Sequence, residues 1–171
     1  MRLRAFDSGK DFFRLKSWIT DERSHILWCA NRFHYPLEKG RFLAELAEMP
    51  QDIPLAAVTE DDQAVGFFCY SLNRQSREGK IKFVIVDPVC RGKGTARQMI
   101  HLAADRAFED SDTEKISLAV FSENPRAKAC YLKAGFTERE TEQQVFSYHE
   151  ERWSRCHMDI LRENWKQSAC R

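Results

Sequence analysis

Apolar positions change their period at about residue 50. Up to Pro50 they recur at helical spacing, and from Ile53 they fall in short runs bounded by turn residues, as in strands. Leu3 to Phe6 reads as a short strand, followed by Asp7 or Ser8 in position to cap a helix carrying Phe12, Phe13, Leu15, Trp18 and Ile19. A second helix is predicted from Asp21 to Asn31. A third carries Phe42, Leu43, Leu46, Ala47 and Met49 until Pro50 stops it. Leu55–Thr59 and Ala64–Tyr70, joined by Glu60–Gln63, read as a hairpin, and Gly79 to Val86 supplies a third strand. The order then alternates: a helix from Thr95 to Phe108, with its stripe at Ala96, Met99, Ile100, Ala103, Ala104 and Ala107, then a strand at Lys115–Phe121. A helix from Pro125 to Lys133 ends at Gly135, and two more strands reach about Leu161. Strand–helix–strand implies one parallel pair, and the hairpins imply antiparallel ones. The predicted architecture is α/β: a central, mostly antiparallel mixed sheet with one parallel strand pair, flanked by helices.

Length and composition narrow the picture. The chain has 171 residues, which predicts one domain over 1–171 without linker or repeat. With 27 Lys and Arg against 26 Asp and Glu, the net charge of +1 provides no basic excess for nucleic acid or an anionic membrane surface. Cys29, Cys69, Cys90, Cys130, Cys156 and Cys170 are scattered without a C-x-x-C pair or zinc-ligand spacing, and read as reduced packing thiols. His25 and Cys29 share a helix face, and packing is again the reading preferred to metal ligation; no metal is expected. The amino-terminal residues turn polar before a signal-peptide core could form, so a cytoplasmic protein is expected.

The segment richest in chemistry is Val84-Ile85-Val86-Asp87-Pro88-Val89-Cys90-Arg91-Gly92-Lys93-Gly94-Thr95-Ala96-Arg97. An apolar strand meets a proline, then two glycines, then the start of a helix whose first N–H groups have no intrahelical acceptor. Helix N-termini carry about half a positive charge, and glycines let an anion approach the backbone. Four or five donors, each contributing roughly 1.5–3 kcal/mol to a charged oxygen, could anchor a pyrophosphate, with Arg91, Lys93 and Arg97 as local cations. The spacing matches neither G-x-x-x-x-G-K-[ST] nor G-x-G-x-x-G. Taken alone, an ordinary strand-to-helix turn also satisfies it.

Arg91-Gly92-Lys93-Gly94-Thr95-Ala96 resembles the [Q/R]-x-x-G-x-[G/A] signature of the GNAT superfamily of acyl-CoA-dependent N-acyltransferases. Val86-Asp87-Pro88 precedes it in the family manner. Asn124-Pro125-Arg126-Ala127-Lys128-Ala129-Cys130-Tyr131-Leu132-Lys133-Ala134-Gly135-Phe136 resembles the second signature, N-x-x-A-x-x-x-Y-x-x-x-G-F. The resemblance implies acetyl-CoA as co-substrate, with the backbone of Val84, Ile85 and Val86 along the pantetheine arm. It places Arg91, Gly92, Lys93, Gly94, Thr95, Ala96 and Arg97 around the phosphates. Asn124 would contact the cofactor, and it also suits an N-cap before Pro125.

Tyr131 matches the tyrosine that gives a proton to the departing CoA thiolate, which a phenol of pKa about 10 can do at neutral pH. Its neighbour Cys130 reads as packing rather than as a nucleophile. In ribosomal-protein alanine acetyltransferases a glutamate in a Leu-Glu-Val pattern takes the amine proton. Here the pattern reads Leu118-Ala119-Val120, and Glu123 and Asp87 are the nearby carboxylates. A lysine-like amine costs roughly 4.6 kcal/mol to deprotonate at pH 7 and an α-amine about 1 to 1.4 kcal/mol, so Ala119 favours acceptors of low pKa. Phe33-His34-Tyr35-Pro36-Leu37, with Trp18 and Trp28, could wall an acceptor pocket, although core packing explains each. The expected reaction is acetyl transfer to a primary amine, of a small molecule or a peptide N-terminus, by direct attack in a ternary complex. The competing expectation is a non-catalytic acyl-CoA-binding regulatory domain. The sequence leaves a homodimer open.

Overall fold

The change of period at residue 50 is the passage from helices to sheet in the computed structural model, which describes residues 1–168. The elements are β1 (Arg2–Ala5), α1 (Phe12–Ser17), α2 (Glu22–Cys29), α3 (Lys39–Ala47), β2 (Ile53–Val58), β3 (Ala64–Asn73) and β4 (Glu78–Val86). They continue with α4 (Thr95–Glu109), β5 (Lys115–Phe121), α5 (Pro125–Lys133), β6 (Thr137–Tyr148), β7 (Glu151–Leu161) and α6 (Arg162–Ser168). The sheet has seven strands in the order β1-β2-β3-β4-β5-β7-β6. Its parallel pair is β4 with β5, in register at Glu78/Lys115, Gly79/Ile116 and Lys80/Ser117.

Two local readings change. Asp7 does not cap α1: Asp11 holds the N-cap position, and the Asp7 carboxylate closes the preceding turn by accepting from the amides of Gly9 (2.8 Å) and Lys10 (3.3 Å). The polar helix α6 follows β7 unannounced, because Trp165 is its one large apolar residue and gives no period to detect. Cys170 lies outside the described residues.

The chain separates into two compact units, Met1–Ser71 with Ile81–Leu102, and Leu72–Lys80 with Ala103–Arg171. In the first, α1 to α3 cover one face of β2, β3 and the end of β4 with an aromatic cluster of Phe12, Trp28, Phe33, Phe42 and Phe67. Trp28 stacks on Phe33, centroids 5.3 Å apart, and Phe33 meets Phe83 of β4 at 4.9 Å. Trp18, Trp28 and Phe33 are thus core residues. Gly66 on β3 lets α4 settle close, since a Cβ there would stand 2.5 Å from Met99 Sδ. Arg4 clamps the buried Asp11 through two bonds of 2.6 and 2.9 Å and also reaches Asp62 at 3.0 Å.

In the second unit, β5 pairs with β7 and β7 with β6, both antiparallel. Ile116, Leu118, Val120, Phe136, Trp153, Met158 and Ile160 are buried there.

Candidate active site

In the first unit the site is built on the carboxyl end of β4. Val84 is half-buried, while Ile85 and Val86 are buried, so the side chains of this expected pantetheine strand pack as core. One residue earlier the strand bends: Phe83 has φ 54°, a left-handed conformation that costs a bulky residue about 1–3 kcal/mol and persists where its surroundings enforce it. The enforcing groups are visible. Its ring is packed by Phe33, and its carbonyl accepts a 2.7 Å bond from Trp28 Nε1.

After β4, Asp87 accepts from Val89 N–H (3.0 Å) and heads a 3-10 turn over Pro88–Cys90. Arg91 Nε donates back to the Val86 carbonyl at 3.1 Å, folding the turn over the strand it leaves. Gly92 and Gly94 then take φ 76° and 83°, which glycine adopts without steric cost. A Cβ added at either meets nothing within 4 Å, so the space above both is open. Gly94 accepts the first helical bond, from Gln98 N–H at 3.0 Å, so the amides of Thr95, Ala96 and Arg97 lie in the opening turn of the fifteen-residue α4. Arg91, Gly92, Lys93, Gly94 and Arg97 are exposed, and Thr95 and Ala96 are half-buried. Open glycines, first-turn amides and three local cations suit a pyrophosphate.

In the second unit, α5 carries Asn124 and Tyr131. Asn124 is the N-cap, accepting from Ala127 N–H at 3.2 Å, and Pro125 follows at the first helical position. The helix ends with Gly135 at φ 95°: Gly135 N–H donates to Leu132 O (3.0 Å) and Phe136 N–H to Tyr131 O (3.0 Å), a Schellman closure. Tyr131 is buried, and burial pushes its phenol well above the ordinary range, so it is protonated throughout neutral pH. Cys130 beside it is half-buried.

The carboxylates near the expected base position are engaged in turns, Asp87 as described and Glu123 with the Ser122 hydroxyl at 2.9 Å. Ala119 is paired across β5 and β7 with His157, which no local pattern singles out because the partnership depends on a register between distant segments. His157 Nε2 lies 2.9 Å from Glu142 Oε2. A His/Cys pair is buried elsewhere: Cys29 Sγ is 3.4 Å from His25 Nε2, with the thiol pushed up to about 11 and the imidazole down, both by desolvation. A thiol so raised is a packing group, and no cluster of metal-ligating side chains occurs among the described residues.

Comparison with known proteins agrees with this fold. The acetyltransferase (GNAT) family model matches residues 16–136. The crystal structure of spermidine N-acetyltransferase from Vibrio cholerae in complex with CoA and spermine superposes with a TM-score of 0.79 at 25% identity, over 96% of each chain. A chimeric form of that enzyme gives 0.79 at 22% identity, over 98% of this chain and 99% of the other. The curated spermidine N(1)-acetyltransferase of V. cholerae is 42% identical over 55 residues, a stretch spanning 32% of each protein. With its mixed sheet and the two-glycine turn opening the following helix, the chain is of the class of acyl-CoA-dependent N-acyltransferases that the family model describes. This chain belongs to the GNAT acetyltransferase family.

Proposed function

We propose that this chain transfers the acetyl group of acetyl-CoA to a primary amine of a small polyamine, by direct attack in a ternary complex. The observation that carries the reading is the open Gly92–Gly94 turn at the head of α4, directly after Val84-Ile85-Val86. The amides of Thr95, Ala96 and Arg97, with Lys93 and Arg91, bind the pyrophosphate, and the β4 backbone receives the pantetheine arm. The acceptor class is supported by the V. cholerae relative, whose structure holds CoA and spermine. That choice moves away from the low-pKa amines suggested by Ala119.

The amine nitrogen, once deprotonated, forms a bond to the acetyl carbon; as the tetrahedral intermediate collapses the C–S bond breaks, the nitrogen gives up its second proton, and that proton reaches the departing sulfur through solvent, so that CoA is released as the thiol. His157, in register with Ala119 and held by Glu142, is assigned to accept the ammonium proton, directly or through water. Tyr131 is assigned to the departing sulfur on the strength of its place in the second motif. Burial raises the phenol and so disfavours full transfer of its proton to the thiolate, which leaves hydrogen-bond donation as charge develops as its main contribution. Asn124 spends its side-chain oxygen on the cap and keeps its amide N–H groups for the cofactor.

Release of CoA thiol from acetyl-CoA over spermidine, spermine, a peptide N-terminus and an aminoglycoside tests the reading. Turnover is expected with the polyamines, reduced about 10²-fold in Tyr131→Phe. In His157→Gln kcat should fall about 10²-fold, with the acetyl-CoA KM unchanged. CoA binding without turnover on any amine would establish the regulatory domain instead.

A further inference from the structure

We propose that Trp28 is a positioning residue for acetyl transfer: its indole N–H fixes the Phe83 carbonyl and thereby turns the Val84 N–H toward the acetyl carbonyl oxygen. The inference rests on the acetyl-transfer reading above and concerns a residue of α2 that no motif marks.

The geometry is specific. Trp28 is 8% exposed and its Nε1 donates 2.7 Å to Phe83 O, a bond between residues 55 apart in sequence. The accepting carbonyl belongs to the one β4 residue with a left-handed backbone, φ 54°. The Phe83–Val84 peptide is trans, and in a planar trans peptide C=O and N–H point in opposite directions. A carbonyl held toward α2 therefore sends the Val84 N–H away from α2. The orientation of a backbone donor is thus determined by a buried side chain on another element. A donor preset at the position where negative charge develops stabilises a tetrahedral oxyanion without reorganisation.

Packing alone does not require this bond. Phe33 stacks on the Trp28 ring and also contacts the Phe83 ring, so a phenyl group at position 28 would keep an aromatic neighbour there and lose only the N–H. Trp28→Phe thus separates the two roles. Acetyl-CoA labelled with carbon-13 at the acetyl carbonyl is bound to the enzyme without acceptor, and its carbonyl stretch is read by isotope-edited infrared spectroscopy.

In the wild type the band is expected below that of free acetyl-CoA. In Trp28→Phe it should return toward the free value, with kcat down about ten- to a hundredfold and the acetyl-CoA KM changed by less than about twofold. A variant band that stays at the wild-type bound position, with kcat within about twofold of wild type, would overturn the inference and leave acetyl transfer intact.

A second measurement uses the wild-type protein and stands whatever the variant's stability. The nitrogen-15 indole resonance of Trp28 should move with acetyl-CoA and stay in place with S-ethyl-CoA, which keeps the arm but lacks the carbonyl oxygen. Equal responses to both would also overturn the inference. Absence of any acetyl-CoA binding by the wild type would remove the acetyl-transfer reading itself, and this inference with it.

Discussion

Gly94 combines two properties that separate by substitution. Its φ of 83° disfavours any side chain, and the space beyond its missing Cβ is open. Gly94→Ala should cost about 1 kcal/mol of stability through backbone strain and still bind CoA. Gly94→Glu adds bulk and negative charge where the phosphates are assigned, so CoA should no longer raise its Tm. Thermal melts with and without CoA read both; if CoA stabilised the Gly94→Glu protein as fully as the wild type, the phosphate site would not lie at this turn. At this scale the sequence was most legible where chemistry and conformation coincide, as at Gly92 and Gly94. It was silent at Phe83, whose left-handed φ comes from contacts with Trp28 and Phe33, residues fifty or more positions away.

At the scale of elements, α5 shows why the second motif is so readable. Asn124 is its N-cap, Pro125 its first residue, Gly135 its left-handed stop, and Phe136 meets Tyr131 across the closure with centroids 6.3 Å apart. The residues that advertise the motif are largely those that start and stop the helix, so capping and cofactor contact are carried by the same positions. Gly135→Ala must hold φ 95° with a Cβ that would sit 3.1 Å from Ile160 Cδ1, and should lose about 1–2 kcal/mol. Denaturant melts give that value, and kcat should fall with it, because Tyr131 takes part in the same closure through its carbonyl. Full retention of stability would show that the Schellman turn does not hold the helix end. Elsewhere, position in sequence misled: Asp7 precedes α1 as a cap would, yet the N-cap position falls at Asp11, whose buried carboxylate is clamped by Arg4. The distant β5–β7 pairing, which sets His157 opposite Ala119, has no local signal at all.

For the molecule as a whole, buried groups that resist ionisation set an alkaline limit. Burial pushes the Cys29 thiol from 9.0 to about 11, and moves Cys69 and Tyr131 upward as well. Below about pH 9 the folded and unfolded chains both hold these protons, and stability is independent of them. As pH rises further, the unfolded chain releases its protons first while the folded chain keeps them, so the unfolded state gains the advantage. Each such group lowers stability by up to about 1.4 kcal/mol per pH unit between its unfolded and folded pKa, which for Cys29 amounts to about 2 kcal/mol by pH 11. Urea melts under reducing conditions from pH 8 to pH 11 should therefore show stability falling steeply above pH 9. Cys29→Ala will be less stable at pH 8 because of the cavity it leaves, but its decline with pH should be shallower by that one group's share. A slope identical to wild type would mean that Cys29 ionises as easily in the folded protein as in the unfolded one, and that the packing of Cys29 beside His25 does not exclude water from the thiol.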